Sequence, residues 1–457
     1  MSAFRTTNPS TGETINEYSH WNASQISVSL AKSETAHLKW KEVPLSERLS
    51  FLDELKKTLD SQKNELAVQA VLEMGKTQTE AVAEVEKCSK LLSYYKEHAQ
   101  EFLKDKNIPT EHQRSFVSYQ PLGSILCIMP WNFPYWQVFR AAIPALVSGN
   151  AVLLKHADNT TGASFKIEEL MKAAGFPSHL FQSLLVDHDQ IVSVIQSKTV
   201  SAVSLTGSEE AGRSVAATAG GALKKCVLEL GGSDPYIVFP DADVKKAAEL
   251  CMKSRLINNG QSCIAAKRFI VHHDVYNQFK QECIAIASKK QIGDPSSKET
   301  DIGPLAKESI LLETKKQVQE SIERGAKVVY ESKDLPKKGF YHPIVILENV
   351  KKGQPVFDDE VFAPVASLIK FSSTDEAIAL ANAHRYGLGA ALFTKGLKAA
   401  ADIAANEIDS GFVAINSMVI SDPRLPFGGI KDSGYGRELS VEGMLEFVNT
   451  KTVIVNS

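Results

Sequence analysis

The sequence predicts an α/β protein built on two parallel sheets. Three observations carry this. From Ser115 onward, short apolar runs of strand length alternate with amphipathic runs of helix length, the pattern of parallel βαβ units. Polar and glycine-containing residues interrupt that pattern at the carboxyl ends of the apolar runs, where open α/β sheets gather their ligands. At 457 residues, 43% hydrophobic and 23% charged, the chain is long enough for two or three domains with their own cores.

Taken in order, residues 1–45 are weakly patterned, with a turn at Asn8-Pro9-Ser10-Thr11-Gly12. Pro44 precedes a helical run whose Leu49, Leu52, Leu55 and Leu59 share one face, and Gly75 interrupts it. A second helix is expected from about 77 to 102, with Val82, Val85, Leu92 and Tyr95 inward. These helices carry no evident chemistry and read as packing against a sheet. Strands are expected at 124–129, 151–154, 200–205 and 226–228, with helices near 137–146, 164–174 and 209–217. A second α/β series follows Gly231. Its strands are expected at 236–239, 268–271, 327–330, 366–371, 390–393 and 412–415, with helical runs at 275–287 and 375–383. The alternating tail, 450–455, suits an edge strand that completes no sheet of its own and invites pairing with another subunit.

Composition narrows the function. A formal charge of −3 leaves no basic footprint for nucleic acid, and no apolar run is long enough to span a bilayer. The six cysteines show no CxxC spacing, which argues against disulfides and zinc, and no metal ligands are expected among the eleven histidines. A cytoplasmic enzyme with reduced thiols is the expectation.

Cys263 lies in a polar turn, Asn258-Asn259-Gly260-Gln261-Ser262-Cys263, between a helical run and a β-type run. The thiolate is the nucleophilic form, so such a cysteine needs a base, an oxyanion site and an acceptor for what leaves. Pro130-Trp131-Asn132-Phe133-Pro134 closes the first strand; its bracketing prolines can fix the Asn132 amide as an oxyanion donor, or Asn132 simply bonds its own turn. The run Gly207-Ser208-Glu209-Glu210-Ala211-Gly212 opens a helix after a strand and offers N–H groups to a phosphate, without a GxGxxG or Walker A pattern. Lys155 and Asp158, after the second strand, suit ribose hydroxyls or solvated surface equally. Glu229, among apolar neighbours, reads as a general base or as half of a buried ion pair.

Together these segments resemble the aldehyde dehydrogenase superfamily. The resemblance runs in order through Pro130–Pro134, Gly207–Gly212, Leu228-Glu229-Leu230-Gly231-Gly232, Gly260-Gln261-Ser262-Cys263, Glu360-Val361-Phe362-Ala363-Pro364, Pro426-Phe427-Gly428-Gly429 and Ser433-Gly434-Tyr435-Gly436-Arg437-Glu438. Within the superfamily, Gly260 to Arg268 and Leu154-Lys155-His156-Ala157 are most similar to the short bacterial succinate-semialdehyde dehydrogenases. The resemblance implies a Rossmann-type cofactor domain (1–102 and 122–231), an α/β catalytic domain (232–431) and a β oligomerisation arm (103–121 and 432–457), in a homodimer or homotetramer. It implies that Cys263 attacks an aldehyde, that the Asn132 amide and the Cys263 N–H hold the oxyanion, and that Glu229 activates water on the thioester. Cofactor contacts would come from Pro130, Trp131, Lys155, Asp158, Thr206, Gly207, Ser208, Gly212, Leu230, Glu360 and Phe362.

Departures from the family pattern sharpen the expectations. His156 stands where a proline is common, and Asp158 where a glutamate is usual; the latter favours NAD, with NADP left open. Ala141 replaces a frequent lysine. Of two arginines that one group sets around a substrate carboxylate, Arg140 matches the first, while the second position is Ile257; Arg424 is the expected substitute.

Overall fold

The computed structural model describes residues 3–456. Its first segment is more regular than its patterning suggests. Strands Ala3–Thr7 and Thr14–Ser19 form a hairpin, and a helix runs over Ala23–Trp40. Asn22 caps that helix on the Gln25 N–H while Gln25 reaches back, a complete capping box. The helix escapes a periodicity reading because its buried face mixes Ile26, Leu30 and Trp40 with Ser29, Ser33 and His37. Two of those polar groups meet side-chain partners, Ser29 with Gln182 at 3.0 Å and Ser33 with Ser124 at 2.9 Å. A stripe diluted by satisfied polar residues leaves little hydrophobic periodicity.

The long helix Leu45–Met74 keeps its leucine face buried and ends at Gly75, whose φ of +82° is the left-handed stop that glycine adopts freely. Thr77 caps the next helix, Gln78–Phe102. Together the two pack on the helices Trp136–Val147 and Thr161–Ala173, which cover the first parallel sheet. That sheet is ordered Lys225–Glu229, Val200–Thr206, Ser124–Met129, Ala151–His156 and Phe181–Ser183, with the short strand Gly434–Tyr435 antiparallel at one edge. Chain order reverses beside Ser124–Met129, so the crevice at the carboxyl ends there is a topological switch point. Register brings the ends together: Met129 lies opposite His156, and Thr206 opposite Glu229.

The second sheet runs Lys327–Glu331, Val345–Glu348, Val365–Phe371, Ala266–His272, Asp234–Val238, Gly389–Phe393 and Phe412–Ile415, parallel except for its first strand. The strands Phe181–Ser183 and Val345–Glu348 and the helices Glu308–Glu323 and Leu397–Asn406 are additions to the expected elements. The tail finds its partner within its own chain, contrary to expectation: Val448–Val455 pairs residue for residue with Arg114–Pro121, and Lys106–Asn107 completes a three-stranded sheet. Among the described residues no helix is long and apolar enough to cross a membrane.

Candidate active site

The turn ahead of Cys263 is built from strain that its neighbours hold in place. Asn258, Asn259 and Gly260 have φ of +56°, +58° and +78°, three successive left-handed residues between the helix Val244–Leu256 and the strand Ala266–His272. Asparagine and glycine tolerate that region best. The Asn259 amide donates to the carbonyls of Gly75 and Pro304, each at 2.9 Å, and accepts from the Gly303 N–H. The Asn258 backbone N–H donates to Glu80, and its side-chain amide donates to the Asn132 and Gln261 carbonyls. A Cβ on Gly260 would lie 2.3 Å from the backbone of Ala363. This turn presents Cys263, half-buried, to a cavity of about 860 Å³.

Burial pushes the Cys263 thiol up to about 12, with Glu360 and Asp234 adding to the shift and Lys267 and Arg140 opposing it. A thiol raised in this way must lose a proton before it can act as a nucleophile. The other five cysteines are buried and unpaired, as expected of core residues.

Asn132 reaches the same loop. Its amide nitrogen donates to the Gln261 carbonyl at 3.1 Å, and its oxygen has no hydrogen-bond partner. One amide N–H remains for another acceptor. The Pro130–Pro134 turn is held through the two residues after it. Glu84 accepts the N–H groups of Tyr135 and Trp136 at 2.8 and 2.9 Å, at the start of the helix Trp136–Val147, and pairs with buried Lys76. His156, the departure from the family's proline, has a task here. Its Nε2 donates to the Pro134 carbonyl at 2.9 Å while Nδ1 accepts from Ala157 and Thr160. Burial lowers His156 to about 4, so it stays neutral in that tautomer.

Glu229 ends its strand 2% exposed, and neither carboxyl oxygen has a hydrogen-bond partner. Desolvation first and Glu438 second raise its pKa well above the usual range, against Arg140 and Arg437. Of the two readings left open by the sequence, an unpartnered carboxyl fits a base better than half of an ion pair. The buried ion pair belongs instead to Arg140, which joins Glu438 and lies 4.7 Å from the Phe427 ring. Arg140 lines the cavity, but its charge is already engaged by Glu438, a correction to its expected role as a free carboxylate anchor. Arg424 is corrected more fully. Its side chain is 76% exposed, it is bound to Asp422 at 2.7 Å, and it is absent from the cavity wall.

Most of the expected cofactor residues lie along the carboxyl ends of the first sheet, while Glu360 and Phe362 come from the segment ahead of Val365–Phe371 in the second sheet. Ser208 caps the helix Glu209–Gly221 on the Ala211 N–H at 3.2 Å, leaving first-turn N–H groups that no helix satisfies internally. The Gly207 N–H is tied to the Glu229 carbonyl, and Thr206 lies 3.4 Å from the Arg140 guanidinium. Gly212 allows close packing: a Cβ there would lie 2.6 Å from Leu230, whose own side chain is in the core. Lys155 donates to Asp158 at 2.7 Å. Glu360 accepts the Gly232 N–H at 3.0 Å and pairs with Lys267 at 3.3 Å, while Phe362 meets Trp131 edge-on at 5.7 Å. A Cβ on Gly231 would lie 2.7 Å from Glu360, so glycine keeps this cradle open. These groups fit a dinucleotide: capped helix start, paired lysine and acid, carboxylate, and aromatic edge.

Sequence reasoning missed several contributors. Lys267 is 2% exposed and donates to the carbonyls of Ser262 and Cys263 at 2.8 and 2.6 Å, bracing the nucleophile from inside its motif. Glu438 belongs to a recognised motif that gave it no role. Glu80, Glu84 and Lys87 come from the helix read as mere packing, yet all three line the cavity. A turn of like-facing charges among buried positions was the signal available.

Comparison with known proteins identifies the family. The model of the aldehyde dehydrogenase family matches residues 1–453. The chain is 43% identical over 451 residues to a probable succinate-semialdehyde dehydrogenase [NADP(+)] of Synechocystis sp., covering 99% of each. It is 40% identical over 453 residues to succinate-semialdehyde dehydrogenase [NADP(+)] 1 of Mycobacterium tuberculosis, covering 98% of each. Among solved structures, succinic semialdehyde dehydrogenase from Streptococcus pyogenes in complex with NADP+ superposes with a TM-score of 0.97 at 35% identity, covering 99% of this chain and 100% of that one. These relatives, named or solved with NADP, give the expected preference for NAD no support. On these matches the chain belongs to the aldehyde dehydrogenase family and is an NAD(P)-dependent oxidoreductase acting on aldehydes.

Proposed function

We propose that this protein oxidises succinic semialdehyde to succinate with NADP. The observation that carries the chemistry is that Cys263 lines the cavity, that the Asn132 amide reaches the loop just ahead of it through the Gln261 carbonyl, and that the unpartnered carboxyl of Glu229 feels the same Arg140 charge as Cys263. The substrate is supported by the names of the relatives, which are called succinate-semialdehyde dehydrogenases. NADP is supported by their names and by Lys155: its ammonium neutralises Asp158, so the carboxylate does not confront a 2′-phosphate alone, and Lys307 lies near both.

In this reading, Cys263 gives up its thiol proton to solvent in the cavity as sulfur bonds to the aldehyde carbon. The oxyanion takes the free N–H of Asn132 and the backbone N–H of Cys263. A dinucleotide held by Lys155, Ser208 and Glu360 would supply the hydride acceptor. Glu229 then takes a proton from water as its oxygen attacks the thioester, releasing the acid and returning the thiol. The three-stranded sheet, with the outer edge of Val448–Val455 open, suits the oligomerisation arm, and a homodimer or homotetramer follows from that assignment. The division into cofactor domain, catalytic domain and arm belongs to the same proposal.

The test is absorbance at 340 nm with NAD and NADP separately, on succinic semialdehyde, butyraldehyde and propionaldehyde. The expected result is a much higher kcat/KM for succinic semialdehyde with NADP. Equal rates with butyraldehyde refute the substrate, and a higher kcat/KM with NAD refutes the cofactor.

A further inference from the structure

Arg140 is engaged by Glu438 and Arg424 faces solvent, so a carboxylated aldehyde needs another cation in the cavity. Lys87 is there. It lies on the inner side of the helix Gln78–Phe102, half-buried, with Nζ 2.5 Å from the Ser421 hydroxyl and 4.0 Å over the Trp136 ring. Among the described residues no carboxylate comes within ion-pair distance of it. Its nearest acids are committed elsewhere: Glu84 to Lys76 and two backbone amides, Asp422 to Arg424.

The hydroxyl it rests on is the second observation. Ser421 is 6% exposed, lines the same cavity, and accepts from both Lys87 and the Trp136 indole N–H, the latter at 3.0 Å. A serine oxygen has two acceptor sites and one proton to give. Both acceptor sites are taken, so the Ser421 proton is left as a donor. An ammonium has three donors, and Lys87 uses one on Ser421. The cluster therefore offers N–H and O–H donors with no acceptor between them, a receptor for an anion on the wall of the cavity that holds Cys263. Burial and the charge of Arg140 lower Lys87 to about 8, a burden that a bound carboxylate removes.

We propose that Lys87, seated on Ser421, receives the distal carboxylate of the substrate and selects carboxylated over neutral aldehydes. This rests on the succinic semialdehyde reading above.

The test is the ratio of kcat/KM for succinic semialdehyde to that for butyraldehyde, in wild type, Lys87→Met and Ser421→Ala, with Tm measured for each. Charge-assisted hydrogen bonds of this kind are worth roughly 10- to 150-fold. Lys87→Met is expected to lower the ratio by about that factor, mainly through KM for the semialdehyde, and Ser421→Ala by less. A wild type without preference for the semialdehyde sinks the substrate reading itself. A wild type with the preference and a Lys87→Met variant that keeps it, or that loses both substrates equally, overturns only the role of Lys87. If Lys87→Met fails to fold, Ser421→Ala and the pH profile decide. The groups around Lys87 are Glu84, Cys88, Arg140 and Asp422, and the chemistry of Cys263 and Glu229 is common to both aldehydes. The ratio should therefore fall as pH rises past about 8, where Lys87 loses its proton. A flat ratio in both measurements overturns the proposal.

Discussion

Replacing Glu229 by glutamine separates the two halves of the reaction. The substitution keeps shape and removes the basic oxygen from a carboxyl that is 2% exposed and has no hydrogen-bond partner. With the thiol proton passing to solvent, acylation of Cys263 and the accompanying reduction do not use that oxygen, whereas attack of water on the thioester does. Loss of a positioned general base costs about 10²- to 10⁴-fold, or about 2.7–5.4 kcal/mol in the barrier for deacylation. Mixing Glu229→Gln with NADP and succinic semialdehyde in a stopped-flow instrument should give a burst at 340 nm approaching one equivalent per active site, then a slow steady state. The fold should not suffer. The Glu229 pKa is raised in the folded protein, so the folded state binds more protons than the unfolded one. The wild type therefore loses stability as pH rises from the unfolded carboxylate value of about 4.3 through the raised folded one. Glutamine carries no such penalty, and at pH 8 the variant should melt no lower than the wild type. A steady-state rate within about threefold of wild type would refute the assignment of Glu229 as the base. A lost burst together with a lowered Tm would show that the carboxyl is structural.

Other substitutions probe the supporting structure. Arg140→Met removes one partner of a buried ion pair and leaves Glu438 unpaired beside Glu229, which should cost about 3–5 kcal/mol in urea unfolding; adding Glu438→Leu should recover most of it, and no recovery would argue against the pairing. Gly260→Ala places a Cβ against the Ala363 backbone at a left-handed φ, so a destabilisation of about 2–4 kcal/mol and a fall in kcat are expected by calorimetry and steady-state assay. Lys155→Ala should raise KM for NADP about tenfold or more and KM for NAD far less, because only the former needs the cation near Asp158; equal rises would contradict that use of the pair. Arg424→Ala, at an exposed position bound only to its neighbour Asp422, should change stability by less than about 0.5 kcal/mol and leave kcat/KM for succinic semialdehyde at the wild-type value.

The sequence by itself determined the α/β class and the order of most strands in both series, and it singled out Cys263, Asn132 and Glu229, the residues proposed as nucleophile, oxyanion amide and base. Each of these is written locally. A strand is a short apolar run, and Asn258-Asn259-Gly260 is a set of residues that tolerate left-handed backbone ahead of Cys263. The helix Ala23–Trp40 escaped because serines and a histidine occupy its buried face, a fact visible only once Gln182 and Ser124 are opposite them. Tertiary structure alone decided where the charges go. It set Glu438 against Arg140 and Asp422 against Arg424, each against an expected role as a carboxylate anchor, and it gave Val448–Val455 a partner in Arg114–Pro121. It also turned the helix Gln78–Phe102 from packing into cavity wall, through Glu80, Glu84 and Lys87. The physical reason is that backbone conformation is set by a residue and its near neighbours, whereas the state of a buried charge depends on whichever partner the fold brings within a few ångströms. Whether an arginine is an anchor or half of an ion pair is settled there.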